Sequence, residues 1–247
     1  MIEFKNIRKS FGAKLILDDV SLSVETGSIF FIIGTSGAGK SVLVKHLIGL
    51  LKPDSGRIIL DGEDITNLSE KEFFRIRKKC AMVFQHSTLF DSMTLIENVA
   101  LPLRKHFRLT QKQALDGAMA RLGQVNMEGM AFRYPADIGD GLRKRVAIAR
   151  ALTLDPDFVI FDEPTTGLDP LAAINVDRLI RNLADEHNVT SIVVSHDLRS
   201  IFGIADRIAM IYKGRIRLDG PPDAFQESED PVIRQFIRGE AHGPMEI

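Results

Sequence analysis

The amino-acid sequence predicts an α/β fold with a mostly parallel core sheet, and two observations support this prediction. Short runs rich in β-branched and aromatic residues alternate along the chain with longer segments whose apolar residues recur at helical spacing. Four of the short runs, at 28–33, 80–84, 157–161 and 190–194, are almost continuously apolar. Such runs are typical of parallel strands that helices cover on both faces.

The first part of the chain is predicted to form a separate sheet. The runs IEFKNI, KLILDDVSLSV and GRIIL are close together and partly alternate between apolar and polar residues. This alternation indicates strands with one packed face and one face in water. We therefore expect an N-terminal antiparallel β subdomain beside the core sheet.

Residues 86–154 are predicted to be an α-helical subdomain inserted into the sheet-based core. They contain helical patterns such as QKQALDGAMARLGQV and LRKRVAIARAL, but few strand signals. The core would then consist of residues 1–85 and 155–238, so that one domain covers residues 1–238. Residues 239–247, GEAHGPMEI, are predicted to be a loose C-terminal tail.

Composition and charge exclude several classes of protein. The 247 residues include 45% hydrophobic and 26% charged residues, as in an ordinary globular domain. The net charge of -1 provides no overall basic field, so we expect no nucleic-acid partner. No apolar run approaches the roughly 20 residues that span a bilayer, and no signal peptide is evident. Cys80 is the one cysteine, which favours a reducing compartment and a place in the core.

The phosphate loop, residues 34–41, has the sequence GTSGAGKS, which matches G-x-x-x-x-G-K-[ST] between a strand and a helix pattern. Its glycines let backbone N–H groups turn inward as an anion site at the start of the helix. Lys40 would reach the β- and γ-phosphates of a nucleotide, and the Ser41 hydroxyl would coordinate Mg²⁺. The predicted nucleotide contacts are Gly34, Thr35, Ser36, Gly37, Ala38, Gly39, Lys40 and Ser41.

Two acidic residues end the strand DFVIFDE at the carboxyl edge of the sheet, where open α/β sheets bind ligands. Asp162 is predicted to hold Mg²⁺ through water, and Glu163 to polarise the attacking water as general base. An acidic pair at a strand end is common by itself. Together with the phosphate loop, it predicts nucleotide hydrolysis.

Two further polar residues end apolar strands of the same sheet. His196 ends SIVVSH and is predicted to face the γ-phosphate, with simple solvation as the alternative. Gln85 ends CAMVFQ, and its amide is predicted to contact Mg²⁺ or the attacking water. Both residues would therefore be part of the catalytic group.

The ordered set of motifs resembles the nucleotide-binding subunit of ABC transporters, over nearly the whole chain from Ile2 to Gly239. The resemblance implies a P-loop NTPase of the ABC type. It also implies that Phe11 stacks on adenine, although core packing is an equally good interpretation of an aromatic residue there. It adds Asp169, in the turn TTGLDP, to the nucleotide site.

The same resemblance implies partners. Two copies of the chain would stack head to tail, with each ATP between the phosphate loop of one copy and the signature turn of the other. The helical subdomain and the Q-loop, which carries Gln85, would couple the nucleotide state to a membrane permease subunit. The chain itself would then be a peripheral protein on the cytoplasmic side of the inner membrane.

A finer resemblance is carried by HSTLFDSMTLIENVALPLRKH at 86–106 and by SEDPVIRQFIRG near the end of the chain. These stretches are similar to the ATPase of Mla-type transporters, the lipid-trafficking ABC family that works with MCE proteins in Gram-negative envelopes. The similarity implies phospholipids or related lipids as cargo. It also implies MCE-domain and small accessory subunits as further partners.

The signature turn departs from the family's L-S-G-G-Q. The following helix sets the register, so the serine is replaced by Gly139 and a glycine by Asp140; the turn consists of Ile138, Gly139, Asp140, Gly141 and Leu142. In the family the serine donates to the partner's γ-phosphate, and Gly139 has no such donor. A carboxylate about 4 Å from a phosphate charge would cost about 4 kcal/mol at an effective dielectric constant of 20.

Two alternatives remain for this turn. Outward rotation of Asp140, or the nearby Arg143 and Lys144, would relieve the repulsion, or Asp140 would cap a helix that begins near Leu142. We expect ATP binding to the chain's own loop to survive while closure and hydrolysis weaken. Arg143, Lys144 and Arg145 are predicted to lie on the exposed face of that helix, opposite a buried face made by Leu142, Val146, Ala149 and Leu152.

The predicted function is that of a Mg²⁺-dependent ATPase, acting as a homodimer in a lipid transporter. One alternative is a regulatory subunit that binds ATP with weak or no hydrolysis. Another is an importer ATPase for a different small solute. A nucleotide-gated clamp in DNA repair or translation is disfavoured, because 247 residues leave no room for the second cassette or coiled-coil arms usual there.

Overall fold

A computed structural model describes residues 1–107 and 109–245 of the chain. Within these ranges, ten strands form two sheets. The strands are β1 (Ile2–Phe11), β2 (Lys14–Val24), β3 (Ile29–Ile33), β4 (Ser55–Leu60), β5 (Glu63–Asp64), β6 (Cys80–Val83), β7 (Phe158–Asp162), β8 (Thr190–Val194), β9 (Arg207–Tyr212) and β10 (Arg215–Gly220).

The smaller sheet is antiparallel, as predicted, with strand order β2-β1-β4-β5. The larger sheet has the order β10-β9-β3-β8-β7-β6. Its five neighbouring pairs are parallel except for β9 with β10. Every residue of β3, β7 and β8 is buried, because helices or the smaller sheet cover both faces. The prediction of a mostly parallel core sheet is therefore confirmed.

Nine α-helices lie in the described residues. They are α1 (Lys40–Leu47), α2 (Glu70–Lys79), α3 (Leu95–His106), α4 (Gln111–Gln124), α5 (Asp140–Leu152), α6 (Pro170–His187), α7 (Leu198–Ile204), α8 (Pro222–Gln226) and α9 (Pro231–Arg238). Capping boxes define the starts of α3 and α4: the Thr94 and Thr110 hydroxyls accept from the backbone three residues on, and Glu97 and Gln113 bond back.

Helices α3, α4 and α5 form the predicted helical insertion. They pack on one another through a shared core that includes Val99, Ala118, Leu122 and Val146. The described residues between β6 and β7 contain no strand, so this part of the prediction is confirmed. Helix α5 belongs to the insertion and also contacts β6, which places its first turn beside the carboxyl edge of the sheet.

The first helix is shorter than its sequence pattern. Apolar residues continue to Leu51, but α1 ends at Leu47. Gly49 adopts φ +69°, and a Cβ there would lie 2.6 Å from the Phe73 ring. The helix therefore ends where the chain turns closely over α2.

The predicted C-terminal tail, described for residues 239–245, contains no helix or strand but is hydrogen-bonded to the core and to α9. Gln235 of α9 is buried, and its amide donates to the carbonyls of Glu240 and Met245 at 3.2 and 3.3 Å. The Met245 N–H donates to the side-chain oxygen Oε1 of Gln235 at 2.7 Å, and the Tyr212 hydroxyl donates to the Pro244 carbonyl oxygen at 3.1 Å. Residues 246 and 247 of the predicted tail lie outside the described residues.

Among the described residues, no helix combines the length and the apolar character needed to cross a membrane.

Candidate functional site

The phosphate loop connects β3 to α1 at the carboxyl edge of the larger sheet. Gly34 has φ +144°, and a Cβ there would lie 2.3 Å from the Ile211 carbonyl oxygen. Gly39 is the N-cap of α1 with φ 101°, and among the described residues no side chain caps this helix. The first N–H groups of α1 therefore remain free to bind an anion, and the close backbone approach requires glycine.

Lys40 lies inside the loop. It is buried, and its Nζ donates to the carbonyl oxygens of Gly34 at 2.9 Å and Thr35 at 3.0 Å. Burial lowers the pKa of Lys40, while the charges of Glu163 and Asp162 oppose that change. Because both acceptors are loop carbonyls, phosphate oxygens of a nucleotide can replace them without moving the helix.

Ser41 and Asp162 form a pair of oxygen ligands. The Ser41 hydroxyl, in the first turn of α1, donates to Asp162 Oδ1 at 2.7 Å. Hydroxyl and carboxylate oxygens suit Mg²⁺, which usually binds one or two carboxylates together with substrate phosphates. The described residues contain no group of three or more His, Cys, Asp or Glu side chains able to hold a metal alone. The pair fits a Mg²⁺ site that a nucleotide completes.

Glu163 and His196 meet just beyond the ends of β7 and β8. Glu163 Oε2 lies 2.9 Å from His196 Nδ1 and accepts a hydrogen bond from the Thr166 hydroxyl at 2.9 Å. The Glu163 side chain is only 13% exposed, and its backbone has φ +51°. His196 is 61% exposed but not merely solvated, since it contacts the carboxylate. The geometry is that of a base and a group that orients it.

Gln85 lies where the sequence predicted, two residues after β6, with an exposed side chain. It lines a cleft of about 400 Å³ together with Asp140, Arg143 and Thr166. The structure therefore brings Gln85 close to the signature turn and to the turn that follows Glu163.

Lys144 is a further functional candidate. The prediction that it lies on the exposed face of its helix is wrong. It is 3% exposed, and its Nζ donates to the carbonyls of Phe84, at 3.0 Å, and Gln85. Burial lowers its pKa to about 8, opposed by attraction to Asp162, Asp140 and Glu163. The signal that could have found it is its spacing of three and four residues from Ala147 and Ile148, which are buried on α5.

The signature turn differs in detail from the prediction. Helix α5 begins at Asp140 with Gly139 as N-cap, so Asp140 does not cap a helix that starts near Leu142. The Asp140 side chain is 74% exposed and lies 3.0 Å from the Arg143 guanidinium. Outward rotation and pairing with Arg143 are thus both present. A Cβ at Gly139 would meet no described atom within 4 Å, so a serine fits there.

Asp169 and Phe11 are the two remaining predicted nucleotide contacts. Asp169 Oδ1 accepts from the N–H groups of Leu171 and Ala172 at 3.0 Å each, as the N-cap of α6. It shares a cleft of about 490 Å³ with Gly139, Asp140 and Gly141. Phe11 is 48% exposed, so the core-packing alternative is wrong. Lys9 Nζ lies 5.5 Å from its ring centroid.

Comparison with known proteins gave consistent matches. Residues 17–166 match the ABC transporter family. The phospholipid transport ATP-binding protein MlaF of Haemophilus influenzae is 38% identical over 245 residues, covering 99% of this chain and 93% of the relative. The "Probable ribonucleotide transport ATP-binding protein mkl" of Mycobacterium tuberculosis is 38% identical over 244 residues, covering 99% of this chain and 68% of the relative.

A solved structure is similar over most of the chain. It is a dimeric ATP-binding cassette in a post-hydrolysis state bound to ADP and Pi. It has a TM-score of 0.82 and 30% identity, and the match covers 90% of this chain and 98% of that one.

Proposed function

Because the chain belongs to the ABC transporter family, we propose that it is the ATP-binding and hydrolysing subunit of a transporter and requires Mg²⁺. One observation carries the proposal. Lys40, the pair of Ser41 with Asp162, and the pair of Glu163 with His196 converge on one edge of the sheet. Phosphate binding, metal binding and water activation are thus available within one chain.

In the proposed reaction, Lys40 and the N–H groups of α1 bind the β- and γ-phosphates. Ser41, Asp162 and Gln85 would hold Mg²⁺, which when bound supplies positive charge opposite the phosphate oxygens. Glu163 accepts a proton from water while the water oxygen bonds to the γ-phosphorus and the bond to the β–γ bridging oxygen breaks. His196 fixes the Glu163 carboxylate and can donate to the γ-phosphate.

We propose that two copies of the chain stack head to tail; the cassette of similar structure is itself a dimer, which supports pairing. Phe11 would stack on the adenine, while Gly139, Asp140, Gly141 and Asp169 would face the nucleotide held by the other copy. Asp140 is then a reason to expect slow closure. A chain that binds ATP but hydrolyses it weakly is the second candidate, and the exposed Asp140 carboxylate favours it.

The proposed permease surface is an apolar groove of about 460 Å³ between the core and the helical subdomain. Its floor and walls include Leu50, Phe84, Phe90, Leu101 and Ala151, and half of the Phe90 and Leu50 surface is exposed. Its rim carries the basic residues Arg77, Lys78 and Lys105. An amphipathic permease segment with acidic residues at its margins fits this groove.

The cargo proposed for the transporter is phospholipid or a related lipid, because MlaF relatives are named for phospholipid transport. The chain would act at the cytoplasmic side of the inner membrane, with MCE-domain and small accessory subunits as further partners. The mkl relatives are named for ribonucleotide transport, so a different small solute is the alternative.

Binding and hydrolysis test the ATPase proposal. The purified full chain should bind ATP with Mg²⁺, and Lys40→Ala should weaken that binding by roughly a hundredfold through loss of a charge-assisted contact. Lys45→Ala on the same helix is the control. An unmodified chain with no affinity for ATP, or a Lys40→Ala variant that binds normally, would remove the proposal.

Extraction from membranes in mild detergent tests the transporter assignment. A co-purifying permease with bound phospholipid would support it. Co-purification with ribosomes or DNA instead would contradict it.

A further inference from the structure

The Q-loop segment, residues 84–88, is attached to α5 by two basic side chains. Lys144 donates to the carbonyls of Phe84 and Gln85. Arg150 donates to the carbonyl oxygens of Ser87 and Thr88 at 3.2 and 2.9 Å, and to the Thr88 hydroxyl at 3.0 Å. Gln85 therefore sits on a loop whose backbone is bonded to a helix of the insertion.

These contacts are more specific than packing. An ammonium group is costly to bury unless its protons have acceptors, and Lys144 is 3% exposed. Its donors meet two successive carbonyls, and hydrogen bonds from a charged donor are about twice as strong as neutral ones. An apolar side chain of similar length would fill the same space without fixing the loop.

Lys144 lies close to the signature turn on α5, so its bonds to the Q-loop link the two segments. Asp140 lies one turn before Lys144, so the signature turn and the bonds from Lys144 to the Q-loop occupy the first half of one helix. Both also line the cleft that contains Gln85. A tilt of α5 that moves the signature turn must therefore move the Gln85 backbone as well.

We propose that Lys144 is a positioning residue that ties Gln85 to the signature helix, so that Gln85 reaches the reacting water and metal only when α5 is correctly oriented. The inference rests on the proposed ATPase function. It concerns coupling within one chain. Gln85, proposed to contact the metal and the attacking water, is positioned by α5, the helix that carries the signature turn.

Steady-state ATP hydrolysis by the full chain with Mg²⁺ is the first test. Lys144→Met should lower kcat by roughly tenfold to a hundredfold, because small displacements of reacting groups cost that much. The KM for ATP should change by less than about twofold, since the phosphate loop is untouched. Lys144→Arg, which keeps a cationic donor, should recover most of the rate. Lys112→Met, an exposed lysine on α4, is the matched control.

A double-mutant cycle separates positioning from general stability. If Lys144 acts through Gln85, Lys144→Met should have little further effect on kcat in a Gln85→Ala background. Equal fold losses in both backgrounds would overturn the inference. So would an unchanged kcat in Lys144→Met, or a Lys144→Arg variant as slow as Lys144→Met.

Amide hydrogen exchange provides a readout that needs no turnover. In Lys144→Met, exchange at residues 86–88 should rise by at least about tenfold while α1 stays protected. Unchanged exchange there would also overturn the inference. If Lys144→Met does not fold, the shorter Lys144→Leu, which also lacks a donor, takes its place with the same expectations. Failure of the unmodified chain to bind ATP would instead contradict the ATPase proposal itself.

Discussion

The phosphate-loop half of the site and the signature turn differ in how completely their side chains are paired. In the phosphate-loop half, Lys40, Ser41 and Glu163 each have hydrogen-bond partners within the chain and are largely shielded from water. At the signature turn, Gly139 offers no side-chain donor and Asp140 is exposed. Under the proposed function, the contrast places nucleotide binding and closure around the nucleotide in two separate parts of the chain.

The largest expected effect on ATP turnover is at Glu163, in the phosphate-loop half of the site. Glu163→Gln should lower ATP turnover by roughly 10²- to 10⁴-fold, because it removes the proposed general base. The affinity for ATP should remain, since the amide keeps an acceptor for Thr166. Single-turnover hydrolysis and equilibrium binding measure the two quantities, with the exposed Glu186→Gln as control. Near-normal turnover in Glu163→Gln would show that the base lies elsewhere.

Substitutions in the signature turn are expected to raise ATP turnover rather than lower it. Gly139→Ser with Asp140→Gly should raise ATP turnover by about tenfold, since a hydroxyl donor replaces a carboxylate near phosphate charge. Asp140→Asn alone separates the effect of charge from that of the missing hydroxyl, and Asp116→Asn on α4 is the control. Equal rates in the altered and original turns would end the idea that this turn limits hydrolysis.

The next prediction concerns the proposed stacking of Phe11 on the adenine ring. Phe11→Ala should weaken ATP binding by about three- to tenfold, the effect of losing one aromatic stacking contact. Phe132→Ala removes an even more exposed ring, 75% accessible, and should leave binding unchanged. Titration with a fluorescent ATP analogue measures both. Equal affinities in the two variants would leave Phe11 without a role in adenine binding.

The smallest effect concerns a hydrogen bond between α6 and α7, the helix that begins two residues after His196. The Ser200 hydroxyl of α7 donates to Asp177 Oδ2 of α6 at 2.8 Å, and burial raises the Asp177 pKa from 3.8 to about 6. The folded state then holds the proton more tightly than the unfolded state, so this carboxyl's contribution to stability falls as pH rises from about 4 to about 6.

Asp177→Asn should therefore raise the free energy of unfolding at pH 8, by less than about 1 kcal/mol after allowance for solvent screening. The gain should shrink toward pH 4, where the carboxyl is protonated in the folded chain. Urea unfolding at several pH values measures it, with Asp116→Asn as control. A gain that is independent of pH would contradict the assignment.

Much of the fold could be predicted because its signals are local. The buried strands at 29–33 and 158–162 are continuous apolar runs, and GTSGAGKS lies between a strand and a helix. The positions of Asp162, Glu163 and His196 then follow from the strand ends. These predictions need only periodicity and the rule that ligands bind at the carboxyl edge.

The errors involve residues whose place depends on distant parts of the chain. Lys144 looks exposed in a basic triplet, but its acceptors are about sixty positions earlier in the chain. Gln235 looks like the polar face of a short helix, yet it holds the tail. Asp140 and Gly141 look like a turn because they are poor helix formers, and contacts of α5 override that preference.

The left-handed backbone of Glu163 sets a limit on how this protein can evolve. A non-glycine residue at φ +51° carries about 1 kcal/mol or more of strain, which a glycine would largely remove. Glu163→Gly would relieve this strain and at the same time remove the proposed general base. The strain at this position is therefore the cost of placing the proposed base directly after β7.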